Sequence, residues 1–275
     1  MIIKARGKKI YWNIVSEEEM KKMLEIAKKD YKKAIEKMPI SDYTKDYILN
    51  EKKRGKIIEL ILKFVKGKEK KVLDVGAGFG AVTLALSRNF DTTAVDVNPF
   101  TLKFIKYRAK QEKLKIKTKL INHIYYGLPF KKETFDVVLM SGVLEWVGEG
   151  IEGNVVEIQK KVLEEIKRVL KKQGFLFLAI ENRIALDWFK GKTSHVPIKY
   201  IDLLPRKLAN FISKRKLKKE FRTYIYTKLG YKKLLKKVGF KNIRFYTAHP
   251  TYQKPEKIYK NKNPFVNSFI IIAEK

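Results

Sequence analysis

From residue 70 onward the chain alternates between short unbroken apolar runs and stretches whose apolar residues recur every three or four positions. KKVLDV, DTTAVDV, FDVVLM and GFLFLAI are β-branched or aromatic runs bounded by Gly, Asp or Pro, the pattern of strands buried on both faces. Between them AVTLALSRN, PFTLKFIKYRAKQEK and GNVVEIQKKVLEEIKRVLKK carry helical spacing. The clearest stripe is Ile158, Val162, Ile166, Val169 and Leu170, with Gly174 expected as the C-terminal cap. This alternation predicts the α/β class: a doubly wound, mostly parallel sheet with helices on both faces. GYKKLLKKVGF then predicts a helix ending at Gly239, and NIRFYTAH and FVNSFIIIAEK two further strands.

Two regions depart from that rhythm. Residues 1–68 read as a helical N-terminal extension, a cover for the α/β domain at 69–275. Ser16 and Glu19 form a capping-box pair before apolar residues Met20, Met23, Leu24, Ala27, Tyr31 and Ile35, which share one helical face. A second helix is expected from Ser41 or Asp42 to Gly67. Residues 184–225 give mixed signals and read as a basic insertion. No internal repeat or Gly/Ser-rich linker divides the 275 residues, and one domain is the economical reading.

Charge changes the picture. Lys and Arg number 62 against 29 Asp and Glu, a formal net charge of +33. Residues 183–262 hold 23 of the basic residues and only 4 acidic ones, so the excess is concentrated. Such a field suits anionic or phosphate-bearing substrates, nucleic acid, or peripheral contact with an anionic inner membrane surface. Adaptation to heat is a competing source of the same Lys-rich composition. Without Cys there is neither a disulfide framework nor a thiolate nucleophile, and no metal site is expected. No apolar run reaches signal-peptide or membrane-spanning length, so a cytoplasmic setting is expected; the oligomeric state stays open.

The chemistry-bearing stretch is VLDVGAGFG, residues 72–80. A glycine-rich turn after a first strand lets backbone approach a nucleotide-type ligand, yet Gly76, Gly78 and Ala81 also satisfy the dinucleotide pattern. Asp96 ends the second strand 20 residues beyond Gly76, where a carboxylate can accept from both ribose hydroxyls. Asn98 can then cap the helix that starts at Pro99.

With these motifs in register the sequence resembles class I S-adenosylmethionine-dependent methyltransferases. VLDVGAGFG matches their first motif, AVDVNP the acidic second, and LPFKKETFDVVLMSGVLEWV the stretch around their fourth strand. The resemblance implies a Rossmann-like, seven-stranded sheet with a reversed last strand and S-adenosylmethionine as cofactor. It further implies Gly76, Ala77, Gly78 and Gly80 along the cofactor, Asp74 toward its ammonium group, and Asp96 with Val97 at the ribose. Ser141 and Gly142 fall beside the reacting methyl. Where relatives often carry an Asp for adenine, this chain reads NHIYYGLPF, leaving Asn122 or a carbonyl near His123 and Ile124.

A sulfonium methyl needs an aligned acceptor lone pair and, for a hydroxyl, a group to take the proton. Glu145, Glu181 and His195 are the candidates for that catalytic role. Each also reads as a cap, an ion-pair member or a loop contact. The segments AIENR, SHVP, IDLLP and TYIYTKLGY are similar to a subgroup associated with surface glycan assembly, which implies a sugar or lipid-linked glycan hydroxyl as acceptor. RNA or tRNA methylation is the alternative the charge supports, and noncatalytic cofactor binding a second.

Overall fold

The computed structural model describes residues 2–3, 10–11, 14–193 and 195–275. Met1, residues 4–9 and 12–13 of the expected cover, and Ser194 of the insertion lie outside them. Ile2–Ile3 and Ile10–Tyr11 pair as a short antiparallel ribbon.

The N-terminal helices are α1 (Glu17–Ala27), α2 (Tyr31–Glu36), α3 (Asp42–Leu49), α4 (Glu51–Arg54) and α5 (Ile57–Ile61). The Ser16–Glu19 capping box forms as expected, through Glu19 N–H donating to Ser16 Oγ at 3.2 Å and Ser16 N–H to Glu19 Oε2 at 2.9 Å. Both expected long helices are broken. Asp30 accepts from the Lys32 and Lys33 amides, which ends the first and caps α2. Asn50 closes α3 and accepts from Lys53 N–H to open α4. A polar side chain able to hydrogen-bond nearby backbone competes with helix continuation at both points.

The main sheet contains β1 (Lys71–Val75), β2 (Asp91–Asp96), β3 (Ile116–Leu120), β4 (Phe135–Ser141), β5 (Leu170–Glu181), β6 (Lys241–His249), β7 (Lys257–Lys260) and β8 (Ser268–Glu274). Their order is β3-β2-β1-β4-β5-β8-β6-β7. The first five are parallel, and β8 lies antiparallel between β5 and β6, the reversed last strand. An eighth strand, β7, adds to the expected seven by pairing antiparallel along the outer edge of β6. The sequence reading passes over β3, IKTKL, and β7, KIYK, because each is a largely exposed edge strand without an apolar run.

Side chains alternate between faces. Leu73, Val75, Val138, Met140, Leu176 and Leu178 meet α8 (Val155–Val169) and α11 (Lys228–Val238) on one side. Val72, Val137, Leu139, Phe177 and Ile272 meet α5 and α6 (Ala81–Ser87) on the other. The α8 stripe of Ile158, Val162, Ile166 and Val169 is buried in full, each side chain worth about 1.5–3 kcal/mol. Gly174 does not cap α8. The chain passes straight into β5 at Leu170, whose backbone is extended, and Gln173 takes the left-handed conformation instead.

Helix α7 (Pro99–Gln111) is capped by Asn98, which accepts from Phe100 N–H at 2.9 Å. Its Phe104 joins the cluster formed by α1 and α2, and its Arg108 donates to the carbonyls of Ile48 and Leu49. The N-terminal helices are thereby packed onto the α/β layer. The insertion contains α9 (Leu186–Phe189) and α10 (Arg206–Leu217) around a small core of Val196, Ile198, Ile201, Ala209 and Phe221.

Candidate active site

The carboxyl ends of β1, β2, β4 and β5 carry the predicted residues. Beyond β1, the Gly76 and Ala77 amides donate to Val95 O of β2, bending the glycine loop across the strand ends. Cβ atoms at Gly76 and Gly80 would strike Val143 and Ile105, at 2.4 and 2.6 Å. Gly78 differs: its φ is +53° and a Cβ there would meet nothing within 4 Å. Its bare backbone faces open space, which fits a ligand approaching the loop.

Two carboxylates flank that loop. Asp74 is buried in β1 and accepts from Thr83 Oγ1 at 2.6 Å; burial pushes its pKa up to about 6, against the pull of that bond and of Arg54. Asp96 accepts from Gly78 N–H through Oδ2 and from Asn98 N–H through Oδ1, both at 2.8 Å. The helix-capping duty passes to Asn98 as expected, but Asp96 is not idle: it anchors the loop. The Val97 amide also donates to this carboxylate, which with about four acceptor sites keeps capacity for a further donor. Val97 follows it, half-buried.

Asn122 is exposed beyond β3, next to Ile121, whose N–H donates to Asp96 O. The His123 and Ile124 carbonyls accept from the Tyr126 and Gly127 amides, and each keeps a second lone pair, so they stand beside Asn122 as expected adenine-side groups. The His123 ring is buried, accepts from Tyr125 N–H, and has its pKa driven down to about 4 by burial.

At the end of β4, Ser141 lies in register with Ala179 of β5, and Gly142 N–H donates to Ala179 O. A Cβ on Gly142 would come within 2.7 Å of the Tyr252 hydroxyl and 3.6 Å of Glu145 Oε1, so only glycine admits these groups.

The structure brings together the three acid–base candidates that come from separate segments. His195 Nε2 of the insertion lies 3.8 Å from Glu145 Oε1 and 3.7 Å from Glu181 Oε2, ion-pair rather than hydrogen-bond distances. Glu145 is 1% exposed, yet neither of its oxygens has a hydrogen-bond partner among the described residues; nor does Glu181 Oε2 or His195 Nδ1. Trp146 meets the imidazole edge to face, with ring centroids 4.9 Å apart. Burial, followed by the Glu145 charge, pushes Glu181 up to about 7. Burial alone would depress His195, but Glu145 and Glu181 outweigh it and push the imidazole up to about 9. The two shifts favour a charged His195 and a Glu181 that holds its proton more tightly than an ordinary carboxyl group.

Sequence reasoning missed Tyr252, whose hydroxyl donates to Glu181 Oε1 at 2.9 Å. It arrives on the loop between β6 and β7, held against the N-terminal helices by Lys254 on Asp46 and by Arg54 on Gln253 O. Its only sequence signal was its place in TAHPTYQKP. Gln159 was also missed: from α8 it donates to Leu144 O and Tyr224 O, fastening the turn that carries Glu145 to the returning insertion.

A parallel sheet with one reversed strand, a glycine loop after β1 and an acid after β2 are the features expected of a class I S-adenosylmethionine-dependent methyltransferase domain. Residues 73–178 match the family model described as a methyltransferase domain, and S-adenosylmethionine is the cofactor of that class.

Two uncharacterised proteins of Methanocaldococcus jannaschii are similar in sequence. One is 35% identical over 127 residues, 46% of this chain and 48% of the relative. The other is 32% identical over 150 residues, 54% and 60% respectively. The chain thus spans about half the length of the first of these curated relatives and three-fifths of the second. Among solved structures, a protein from Pyrococcus horikoshii aligns with a TM-score of 0.56 at 19% identity, covering 86% of this chain and 99% of its own. A methyltransferase from Thermotoga maritima described as a possible histamine N-methyltransferase gives 0.54 at 15%, covering 85% and 95%. These likenesses establish the fold.

Proposed function

We propose that the protein transfers a methyl group from S-adenosylmethionine to a hydroxyl of a sugar or lipid-linked glycan. The carrying observation is the buried Glu145–His195–Glu181 cluster beside Gly142, in which both oxygens of Glu145 and Oε2 of Glu181 lack a hydrogen-bond donor among the described residues and can accept an acceptor's polar hydrogens. Leaving such groups unpaired costs roughly 1–3 kcal/mol each, which a hydrogen-bonding acceptor would restore.

When bound, the cofactor supplies an electrophilic methyl on a sulfonium that departs as a neutral thioether. In this reading Asp74 takes the ammonium group, Asp96 and Val97 the ribose, and Asn122 the adenine edge. The backbone of Gly76, Ala77, Gly78 and Gly80 lies along the cofactor, with Ser141 and Gly142 nearest the methyl. Glu181 accepts the acceptor's hydroxyl proton, Tyr252 orients Glu181, and the His195 imidazolium holds the two carboxylates in place. A neutral amine would need alignment alone, so a carboxylate poised near 7 favours a hydroxyl. The reading needs no metal: the three groups' ligand atoms lie within 4.8 Å of one another, but the imidazolium already supplies the positive charge.

The glycan class rests on the looser resemblance of AIENR and the segments after it. The basic insertion supports RNA as the second reading. Labelled-methyl transfer into separated lipid-linked glycan and RNA fractions tests both. Incorporation confined to RNA would overturn the glycan reading, and no incorporation into any fraction would leave cofactor binding as the sole activity.

A further inference from the structure

The large exposed apolar side chains are unevenly distributed. Leu186, Phe189, Tyr200, Leu208 and Phe211, all between 45% and 59% exposed, belong to the insertion at 184–225. Helix α10 shows how they are presented. Ala209 and Ser213 are buried against the insertion's core, while Leu208 and Phe211, three residues apart, lie together on the opposite face. Lys207, Arg215 and Lys216 are exposed on the same helix, which contains no acidic residue.

The insertion as a whole holds 11 Lys or Arg and 3 acidic residues. None of those acids offsets the face: Asp187 pairs with Lys192, Glu220 with Lys214 and Arg222, and Asp202 is buried. Solvated lysines alone would be an ordinary surface. Leucine and phenylalanine held out among unpaired cations are not, because a monomer gains nothing by exposing them.

We propose that α10 and its flanking insertion form a docking face for an anionic lipid bilayer. Lys207 and Arg215, each four residues from Phe211 on the same face, meet headgroup phosphates while Leu208 and Phe211 enter the acyl boundary. Nucleic acid suits the charge but offers unpaired aliphatic groups no apolar phase, and Leu208 decides between them. The insertion also delivers His195 to the strand ends, so docking would set the candidate active site beside the membrane. The inference stands apart from the methyltransferase reading, since binding is measured without cofactor.

The test is flotation of the full chain with vesicles of phosphatidylcholine alone or mixed with phosphatidylglycerol. Binding to the mixed vesicles, weakened by salt and absent from the neutral ones, is expected. Leu208→Ser with Phe211→Ser should lower that binding on the order of a hundredfold at unchanged circular dichroism. Lys207→Glu with Arg215→Glu should remove the preference for anionic lipid. Equal binding to both vesicle types, unaltered binding by the serine variant, or displacement from vesicles by RNA at equal phosphate would each overturn the proposal.

Discussion

Glu181 Oε2 stands 3.7 Å from His195 Nε2, and the pair joins the end of a central strand to a loop of the insertion. Strand and loop are tied independently by Arg183, which donates to the carbonyls of Asp202 and Leu204. The fold itself thus holds the Glu181 and His195 segments together.

The first prediction concerns the proton acceptor. Glu181 has its pKa raised to about 7, so methyl transfer should rise with pH through about 7 as the carboxylate ionises, then level off. Glu181→Gln should reduce kcat by roughly 10²- to 10⁴-fold and remove that limb while leaving cofactor affinity close to native. A pH–rate profile paired with calorimetric cofactor titration checks both parts; a variant retaining the limb would disqualify Glu181 as the base.

His195 carries a stability consequence of opposite sense. Its pKa in the folded protein, about 9, exceeds the ordinary 6.5 of a histidine, so the native state binds more protons between those values. This contribution to stability is therefore full below about pH 6.5 and falls as pH rises through 9, by an amount on the order of 3 kcal/mol. Thermal unfolding across that window should show the decline in the native protein, and His195→Ala should abolish it.

Asp74 predicts cofactor affinity. Burial holds its carboxyl protonated up to about pH 6, and a cationic ammonium group favours the ionised form. Affinity should increase as pH rises to about 6 and flatten above it, by at most about tenfold per pH unit. Asp74→Asn should give a flat profile at the weaker level, read by isothermal titration.

Asp96 and Gly78 form a linked pair through their 2.8 Å hydrogen bond. In the proposed reading Asp96→Ala removes that anchor and the ribose acceptor together, so affinity should fall roughly tenfold to a hundredfold or more. Gly78→Ala tests the open cradle: its strained φ costs about 1–2 kcal/mol, and the added methyl occupies space assigned to the ligand. Affinity should drop by more than the accompanying loss of thermal stability accounts for.

Chelation gives the last test. If the imidazolium supplies the positive charge between Glu145 and Glu181, exhaustive treatment with a chelator should leave methyl transfer unchanged. Activity lost on chelation and restored by a divalent cation would reassign the cluster as a metal site.

Much of the fold is legible in the sequence because buried parallel strands cannot avoid apolar runs, as LDV, TAVDV and FDVVLM show. Helix interruptions were less so. Asp30 and Asn50 act through local side-chain hydrogen bonds to backbone amides, which periodicity does not register. The same distinction runs through the site. Asp74, Asp96 and the glycines are close in sequence to the strands that aim them, so their spacing is informative. Glu145, Glu181 and His195 could be named singly, but their meeting depends on how the insertion folds back. Tyr252 depends further on the 250–254 loop and its ties to α3 and α4.

The two outermost strands have a consequence for behaviour in concentrated solution. IKTKL at one edge and KIYK at the other expose Lys119, Lys257 and Lys260 beside unpaired backbone. A second copy adding its own edge strand would bring lysine rows of the same sign together, a repulsion that opposes the pairing. The edge strands that escape detection as apolar runs thus act as gatekeepers against sheet-extension aggregation, and the lysines that obscure them are the reason.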